Sequence, residues 1–520
     1  MTTNPHAALR SLITFAIIIP LAVLMGYLLT NPLNYSTLFF VGLIVAMVLS
    51  PIFIKWHYPI MVFGLAFPAQ LFFLKGNPPF WQVIVIISLG IAIVERATSS
   101  ERRFLKAPPM TWAMLFTAAM VFITMKLTGG FGLHTVGGGT GGGRKYITLY
   151  LGIATFFALI SRGIPPEKRR LYIGLFFLSG IFVFISDLYF ILPGPLKYIN
   201  LIFTPSVYMW RTEEAGSGTL RLAGLMGAAN AIMLFMLARY GLRELLSGSR
   251  PGRAVLFILM FCLSLLGGFR SALIGNTLIL FFCFFFDGLH RTKWLPIAAV
   301  GLLLLSVIVV PFARDLPESI QRCLAIFPPE IVKVDPGVRM DAEGSKEWRL
   351  KIWSAILPQV PDYLLLGKGY ALTSEDYESI GEDNPFARTA QADASQESLA
   401  ISNDFHSGPL STVICFGLWG CISILAIMGA GFYVLYRNLK YGDPALRPVN
   451  MLLLAMHLQH TISFFAIFGA YQDDVGTFAK VVGFSVALNW GICKPAVKRV
   501  VVQTFKPRTL PAQAEPQAAN

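Results

Sequence analysis

Three arginines and one histidine offer the sharpest chemistry in this sequence. Arg221 opens an apolar run, Arg270 sits in the short turn Gly267-Gly-Phe-Arg-Ser271 between two such runs, and Arg349 lies in a longer polar stretch. Charges at the ends of apolar spans are costly to desolvate and are site candidates for that reason. A guanidinium presents fixed bidentate donors to phosphate oxygens and cannot lose its charge, so a group of them beside a bilayer suits a lipid-linked pyrophosphate. Taken singly, each has a second reading as an interfacial side chain that snorkels along apolar surface. His406, in Asn403-Asp-Phe-His-Ser407, can act as a general base near neutral pH, and Asp404 is close enough in sequence to orient its imidazole. The alternative is a surface histidine that helps to start a helix.

The other candidates are weaker. His457 and His460 would share a helix face, and with no carboxylate in that apolar run, helix-to-helix hydrogen bonds are expected there. Asp473 and Asp474 are expected to be solvated, as is the Asp-x-Glu pair Asp341 and Glu343, so no metal or cofactor site is expected. The run Gly137-Gly-Gly-Thr-Gly-Gly-Gly143 lacks the Gly-Lys-Ser/Thr ending of a phosphate loop and reads as a linker. Neither His-Glu-x-x-His nor a nucleophile elbow occurs, which argues against a membrane protease or acyl hydrolase.

The elements that must hold these residues are membrane spans. Of the 520 residues, 55% are hydrophobic and 13% charged, against roughly a quarter charged in soluble domains. Apolar runs long enough to cross a bilayer fall near 11–29, 36–54, 58–75, 80–95, 110–127, 147–161, 171–191, 222–242, 253–269, 271–287, 294–312, 409–436, 449–469 and 475–492. The first is too long for a signal-peptide core and lacks a cleavage site, so it is expected to stay. Basic residues cluster in alternate connections, among them Arg102, Arg103, Lys168, Arg169, Arg170, Arg243, Arg253, Arg437 and Lys440. The net charge of +14 therefore reads as membrane orientation, with both termini cytoplasmic, and no nucleic-acid partner is expected. Five of the six cysteines lie in apolar runs, with neither a disulfide framework nor zinc spacing.

The expected organisation is an N-terminal transmembrane bundle over 1–312, an exterior loop over 313–408, C-terminal transmembrane helices over 409–492 and a cytoplasmic tail over 493–520. The loop holds sixteen acids against nine Lys and Arg, a net charge of −7 that leaves +21 on the rest. Within it, Ser345 to Val360 spaces Trp348, Ile352 and Ile356 as an amphipathic helix, ended by Pro358 and Pro361. Leu366-Gly-Lys-Gly-Tyr370 permits a turn with close backbone approach. Residues 371–404 read as a lid or a plain loop, and Pro507 to Asn520 as a disordered tail.

Four pieces in order resemble the O-antigen ligase and polymerase superfamily of bacterial envelope glycosyltransferases. Arg221-Leu-Ala-Gly-Leu-Met-Gly-Ala-Ala-Asn230 is similar to its arginine entry to a span, and Phe269-Arg-Ser-Ala-Leu273 to its short arginine turn. Arg349-Leu-Lys-Ile-Trp353 with Leu366-Gly-Lys-Gly-Tyr370 is similar to the elements of its large periplasmic loop. His406-Ser407 before Phe416-Gly-Leu-Trp-Gly420 resembles the histidine that precedes its Gly-Leu-x-Gly span. The resemblance covers roughly 221–420, departs from the usual Asn-Pro-Asn at Ala-Ala-Asn230, and does not reach the first 200 residues.

The resemblance implies an all-α polytopic membrane protein, GT-C-like, with about 12–14 transmembrane helices and one large periplasmic loop between the eleventh and twelfth. It implies an inverting, metal-independent transfer of a glycan from polyprenyl (undecaprenyl) pyrophosphate to a lipid A-core hydroxyl at the periplasmic face of the bacterial inner membrane. Arg221, Arg270 and Arg349 would hold the pyrophosphate, with Asp404 counted in the substrate site, and His406 would be the base. A polymerase that extends a second lipid-linked glycan shares this donor. A lipid-linked sugar transporter fits less well, because inverted repeats are not visible.

Overall fold

The computed structural model describes residues 5–28, 30, 34–74, 76–99, 103–129, 143–205, 221–247, 250–371 and 405–495. Asp404, most of the glycine-rich linker, the segment read as a lid or loop, and the tail fall outside the described residues. Helices dominate the rest: α1 (Pro5–Leu28), α2 (Tyr35–Gly64), α3 (Phe80–Thr98), α4 (Pro108–Thr128), α5 (Gly143–Ile160), α6 (Arg169–Leu178), α7 (Ala223–Leu246), α8 (Pro251–Leu263), α9 (Arg270–Phe286) and α10 (Trp294–Val309). A smaller lobe follows with α11 (Glu318–Leu324), α12 (Pro336–Ile356) and α13 (Val360–Tyr363), and the chain ends in α14 (Gly408–Tyr441), α15 (Arg447–Ala466) and α16 (Tyr471–Asn489). Among the described residues, six helices are long and apolar enough to cross a membrane, or seven when the bent α2 is counted as one span. The chain is an all-helical, multi-pass membrane protein.

Lipid-facing and buried surfaces separate cleanly. No residue of α10 is buried, and Leu302 and Val307 are more than 60% exposed, as suits a helix at the perimeter of a bundle in hydrocarbon. The interior forms where small residues let helices approach. Gly152 of α5 faces Gly476 of α16, and Phe176 stacks on Phe484 at 4.0 Å. Asn276 of α9 donates to Asn230 of α7 at 2.8 Å and to the Ser264 hydroxyl at 3.0 Å. That bond pins the beginnings of α7 and α9, which carry two of the predicted arginines.

Two expectations fail near the N-terminus. The spans expected at 36–54 and 58–75 are replaced by the single helix α2, bent by 55° near residue 46. The polar stretch Lys55-Trp-His-Tyr58 reads as a connection in sequence, yet neighbouring helices satisfy it: His57 Nδ1 lies 2.9 Å from the Ser88 hydroxyl, and the Tyr58 hydroxyl donates to the carbonyl of Leu159 at 2.8 Å. Residues 65–79 are irregular, with a Gln70–Pro79 bridge and a Gln70 N–H donated to Ile202. With one crossing fewer, the alternation of basic connections alone no longer sets the side of the N-terminus. The span expected at 171–191 is among the six candidates, as Pro166–Tyr189, and changes within it from α-helix, which ends at Leu178, to a 3-10 helix over Ser179–Phe190.

The lobe locks onto the bundle through a break in α14. Gly417 has φ +59 and ψ −152, which interrupts the helix and frees one N–H and two carbonyls. The turn predicted at Leu366-Gly-Lys-Gly-Tyr370 and the residues just before it supply all three partners. Leu418 N–H donates to Leu364 at 2.7 Å, Ile414 accepts from Lys368 N–H at 2.8 Å, and Cys415 accepts from Gly369 N–H at 2.9 Å. A Cβ on Gly367 would collide with the Cys415 carbonyl, and one on Gly417 would lie 2.7 Å from the Leu365 main chain. Both glycines also hold positive φ.

Gly417→Ala is therefore expected to cost about 1–2 kcal/mol in backbone strain alone, with further loss from the displaced turn. A fall in the melting temperature of the detergent-solubilised protein checks it. Gly429→Ala on the same helix, with open space around it, should leave that temperature unchanged or raise it.

Candidate active site

The residues at the lobe end of the bundle are brought together by the turn before α9. Gly268 takes φ +66 there, and its Cα hydrogen points at the Arg221 stem and Ser319 of α11. Leu222 N–H donates to Leu266 at 3.1 Å, which ties the segment carrying Arg221 to the same turn. The entry to α7 is held from its other side. Asp187 accepts from Gly224 N–H at 3.0 Å and from Leu225 N–H at 2.7 Å, using the unsatisfied donors of a helix start.

A fourth arginine organises the group. Arg322, on α11, is 5% exposed and donates from Nη1 to the Gly268 carbonyl at 2.8 Å. Its Nε also pairs with Asp341 Oδ2 of α12, and Arg221 Nη2 reaches that same oxygen at 3.3 Å. The Arg221 guanidinium lies over the Phe269 ring at 5.7 Å. Arg270 feels the positive charges of both Arg322 and Arg349. Four guanidiniums thus share one region, and Asp341 bridges two of them.

The electrostatics follow from this grouping. Burial and the nearby Arg322 charge hold the Arg349 guanidinium below the usual arginine range. For Asp341, partial burial would raise the carboxyl, but the Arg322 hydrogen bond and the charges of Arg322 and Arg221 outweigh it and hold the group below the usual carboxylate range. Burial pushes the Cys323 thiol up to about 11, and its Sγ sits 3.5 Å from the carbonyls of Leu265 and Phe269. It packs as a neutral side chain. An arrangement rich in buried, fixed cations stabilises charge that develops on a bound anion without reorganising.

His406 is placed by the same lobe helix. Phe405 is fully buried with Ile352 and Ile356 of α12 and Ile414 of α14, and its carbonyl accepts from Trp353 Nε1 at 2.9 Å. Trp353 lies one turn along α12 from Arg349, so one rigid helix connects the arginine group to the histidine's backbone. The histidine itself has φ +49, a left-handed conformation that few side-chain-bearing residues adopt, and its ring packs edge-on to Phe468 at 5.0 Å. Asp404, expected to orient it, lies outside the described residues.

The remaining candidates divide. His457 Nε2 lies 2.9 Å from the Met428 carbonyl, the helix-to-helix contact expected of it. Asp474 is not solvated: it is 4% exposed, with Oδ1 2.7 Å from His460 Nε2. Asp341 keeps solvent access, with its side chain 42% exposed, but it bridges two arginines from within a helix, not a turn, that begins at Pro336, nine residues before the expected start. Arg322 and Asp187 were not anticipated. Asp187 carried a signal, an ionisable residue inside an apolar run. Arg322 carried none, because its burial depends on contacts with residues more than fifty positions away. A cleft of about 360 Å³ beside Gly241, Asp287 and Arg447 lies on other stretches of these helices and holds none of these residues.

No curated protein matches the chain. Residues 255–425 match the family model described as O-Antigen ligase. That interval contains Arg270, Arg322, Asp341, Arg349, the turn at Gly367–Gly369, His406 and the break at Gly417, so the part of the chain that builds the arginine group and seats the histidine is O-antigen ligase-like.

Proposed function

We propose that this protein is a polytopic membrane glycosyltransferase of the ligase type. It moves a glycan from polyprenyl pyrophosphate, undecaprenyl in bacteria, to a hydroxyl of a lipid A core at the periplasmic face of the inner membrane. The observation that carries this reading is the convergence of Arg221, Arg270, Arg322 and Arg349 where the turn before α9 meets a lobe whose helix α12 also seats His406.

The acceptor hydroxyl attacks the anomeric carbon from the face opposite the leaving group, which inverts that centre. As the new C–O bond forms, the hydroxyl proton passes to the imidazole of His406. The bond from the anomeric carbon to the pyrophosphate oxygen breaks, and the lipid pyrophosphate leaves with the electron pair. A pyrophosphate needs little protonation to depart. It needs its growing negative charge met, and the four guanidiniums supply that from positions fixed before the reaction. In this reading the arginines do the work that a divalent cation would otherwise do, and the reaction proceeds without a metal.

A polymerase reading uses the same donor, cations and base, and differs only in the acceptor. The acceptor that takes up the glycan in the assay below separates the two.

Purified full-length protein given an undecaprenyl-pyrophosphate-linked glycan and lipid A core should transfer glycan in the presence of chelator. His406→Ala should lower the rate by about 10²–10⁴-fold, and Arg270→Ala by about 10²–10³-fold, each measured by product on a gel. Lengthening of the donor glycan, with no product on lipid A core, would replace the ligase by the polymerase, and transfer that vanishes with chelator would sink metal independence. The strained backbone gives a second expectation. His406→Gly should lose activity as fully as His406→Ala but melt at a higher temperature, because glycine carries φ +49 at no steric cost.

A further inference from the structure

We propose that Asp341 is an internal ligand of the pyrophosphate site: its Oδ2 takes the place between Arg221 and Arg322 that a pyrophosphate oxygen occupies, and it gives way when the donor binds. This rests on the donor reading above. Three observations lead to it. First, a single oxygen, Oδ2, meets both guanidiniums, Nε of Arg322 and Nη2 of Arg221, which is the bridging contact a phosphate oxygen makes between two arginines. Second, the layers are ordered by depth. The Asp341 side chain is 42% exposed, Arg221 16% and Arg322 6%, so an anion arriving from solvent meets the carboxylate before the cation beneath it. Third, Arg270 and Arg349 add positive charge beside the pair that Asp341 bridges, and a pyrophosphate bringing two or more negative charges meets more of that charge than one carboxylate does.

The two anions exclude each other at this place, since a carboxylate and a phosphate oxygen in contact repel. While the site is empty, Asp341 keeps Arg322 from being a buried cation opposed only by the Gly268 carbonyl. It thereby keeps both guanidiniums turned toward one shared oxygen position. Asp341 acts as a positioning residue and a competitor at once, and it sets how tightly the spent lipid pyrophosphate is held after transfer.

Binding of undecaprenyl pyrophosphate, without glycan, to the full-length protein in detergent separates the outcomes. Wild type should bind it, and Asp341→Asn should bind it about tenfold tighter, because a repelling charge is removed while the side chain's shape is kept. Arg322→Gln should bind it more weakly. Inorganic pyrophosphate should inhibit transfer more strongly in Asp341→Asn, with KM for the donor lowered and kcat lowered through slower release. Binding by wild type together with weaker or equal binding by a folded Asp341→Asn would overturn the inference and make Asp341 a plain structural clamp. Absence of binding by wild type would instead overturn the donor reading. A measurement on wild type alone covers the case in which the variant does not fold: hydrogen exchange over 336–343 should rise when undecaprenyl pyrophosphate is added, and a fall there would refute displacement.

Discussion

The structure depends on how α14 is allowed to break. Backbone groups within a bilayer must find partners inside the protein, because hydrocarbon offers none and each unsatisfied group costs several kcal/mol. At Gly417 the helix gives up its own bonds, and the lobe replaces them with three from residues 364–369. The exchange is possible only because Gly367 and Gly417 bring two main chains closer than any side chain allows. That contact anchors the lobe at one end, near the part of α12 that bonds Phe405 and so fixes the backbone of His406, while Arg322 and Cys323 hold α11 to the turn before α9.

The second organising feature is a concentration of positive charge that solvent cannot relieve. Arg322 is nearly buried, Arg349 half-buried, and Arg270 lies beside both. Like charges at such range are costly in a region of low dielectric. Among the described residues, the Asp341 carboxylate, the Gly268 carbonyl and the ring of Phe269 face them. Stability would be better served by fewer arginines, so this excess is most economically understood as serving an anionic ligand.

Sequence reasoning reached these features unevenly, and the reasons are physical. Membrane character was legible because the bilayer imposes a length and an apolarity that each span meets locally. Arg221, Arg270, Arg349 and His406 could be picked out because polar residues at the edges of apolar runs are conspicuous. The glycines of the turn at 366–370 announced close approach, although not what they would approach. By contrast, His57 and Tyr58 suggested a connection where α2 runs on, since their partners Ser88 and Leu159 belong to other helices. Asp341 and Asp474 suggested solvated turns for the same reason. Arg322 was invisible, because burial of a charged side chain is a property of tertiary contacts and leaves no periodic trace.

The interrupted helix also orders events during biogenesis. Residues 364–369 precede α14 in the chain, so the partners of its break are synthesised before the break itself. Until the lobe has folded, a continuous helix through Gly417 is the form that hydrocarbon tolerates, and such a rod carries Phe405 and His406 away from their seat against α12. Seating of His406 is in this way made conditional on folding of the lobe. A half-inserted chain can span the membrane, but it lacks the bend that brings the lobe and the bundle together.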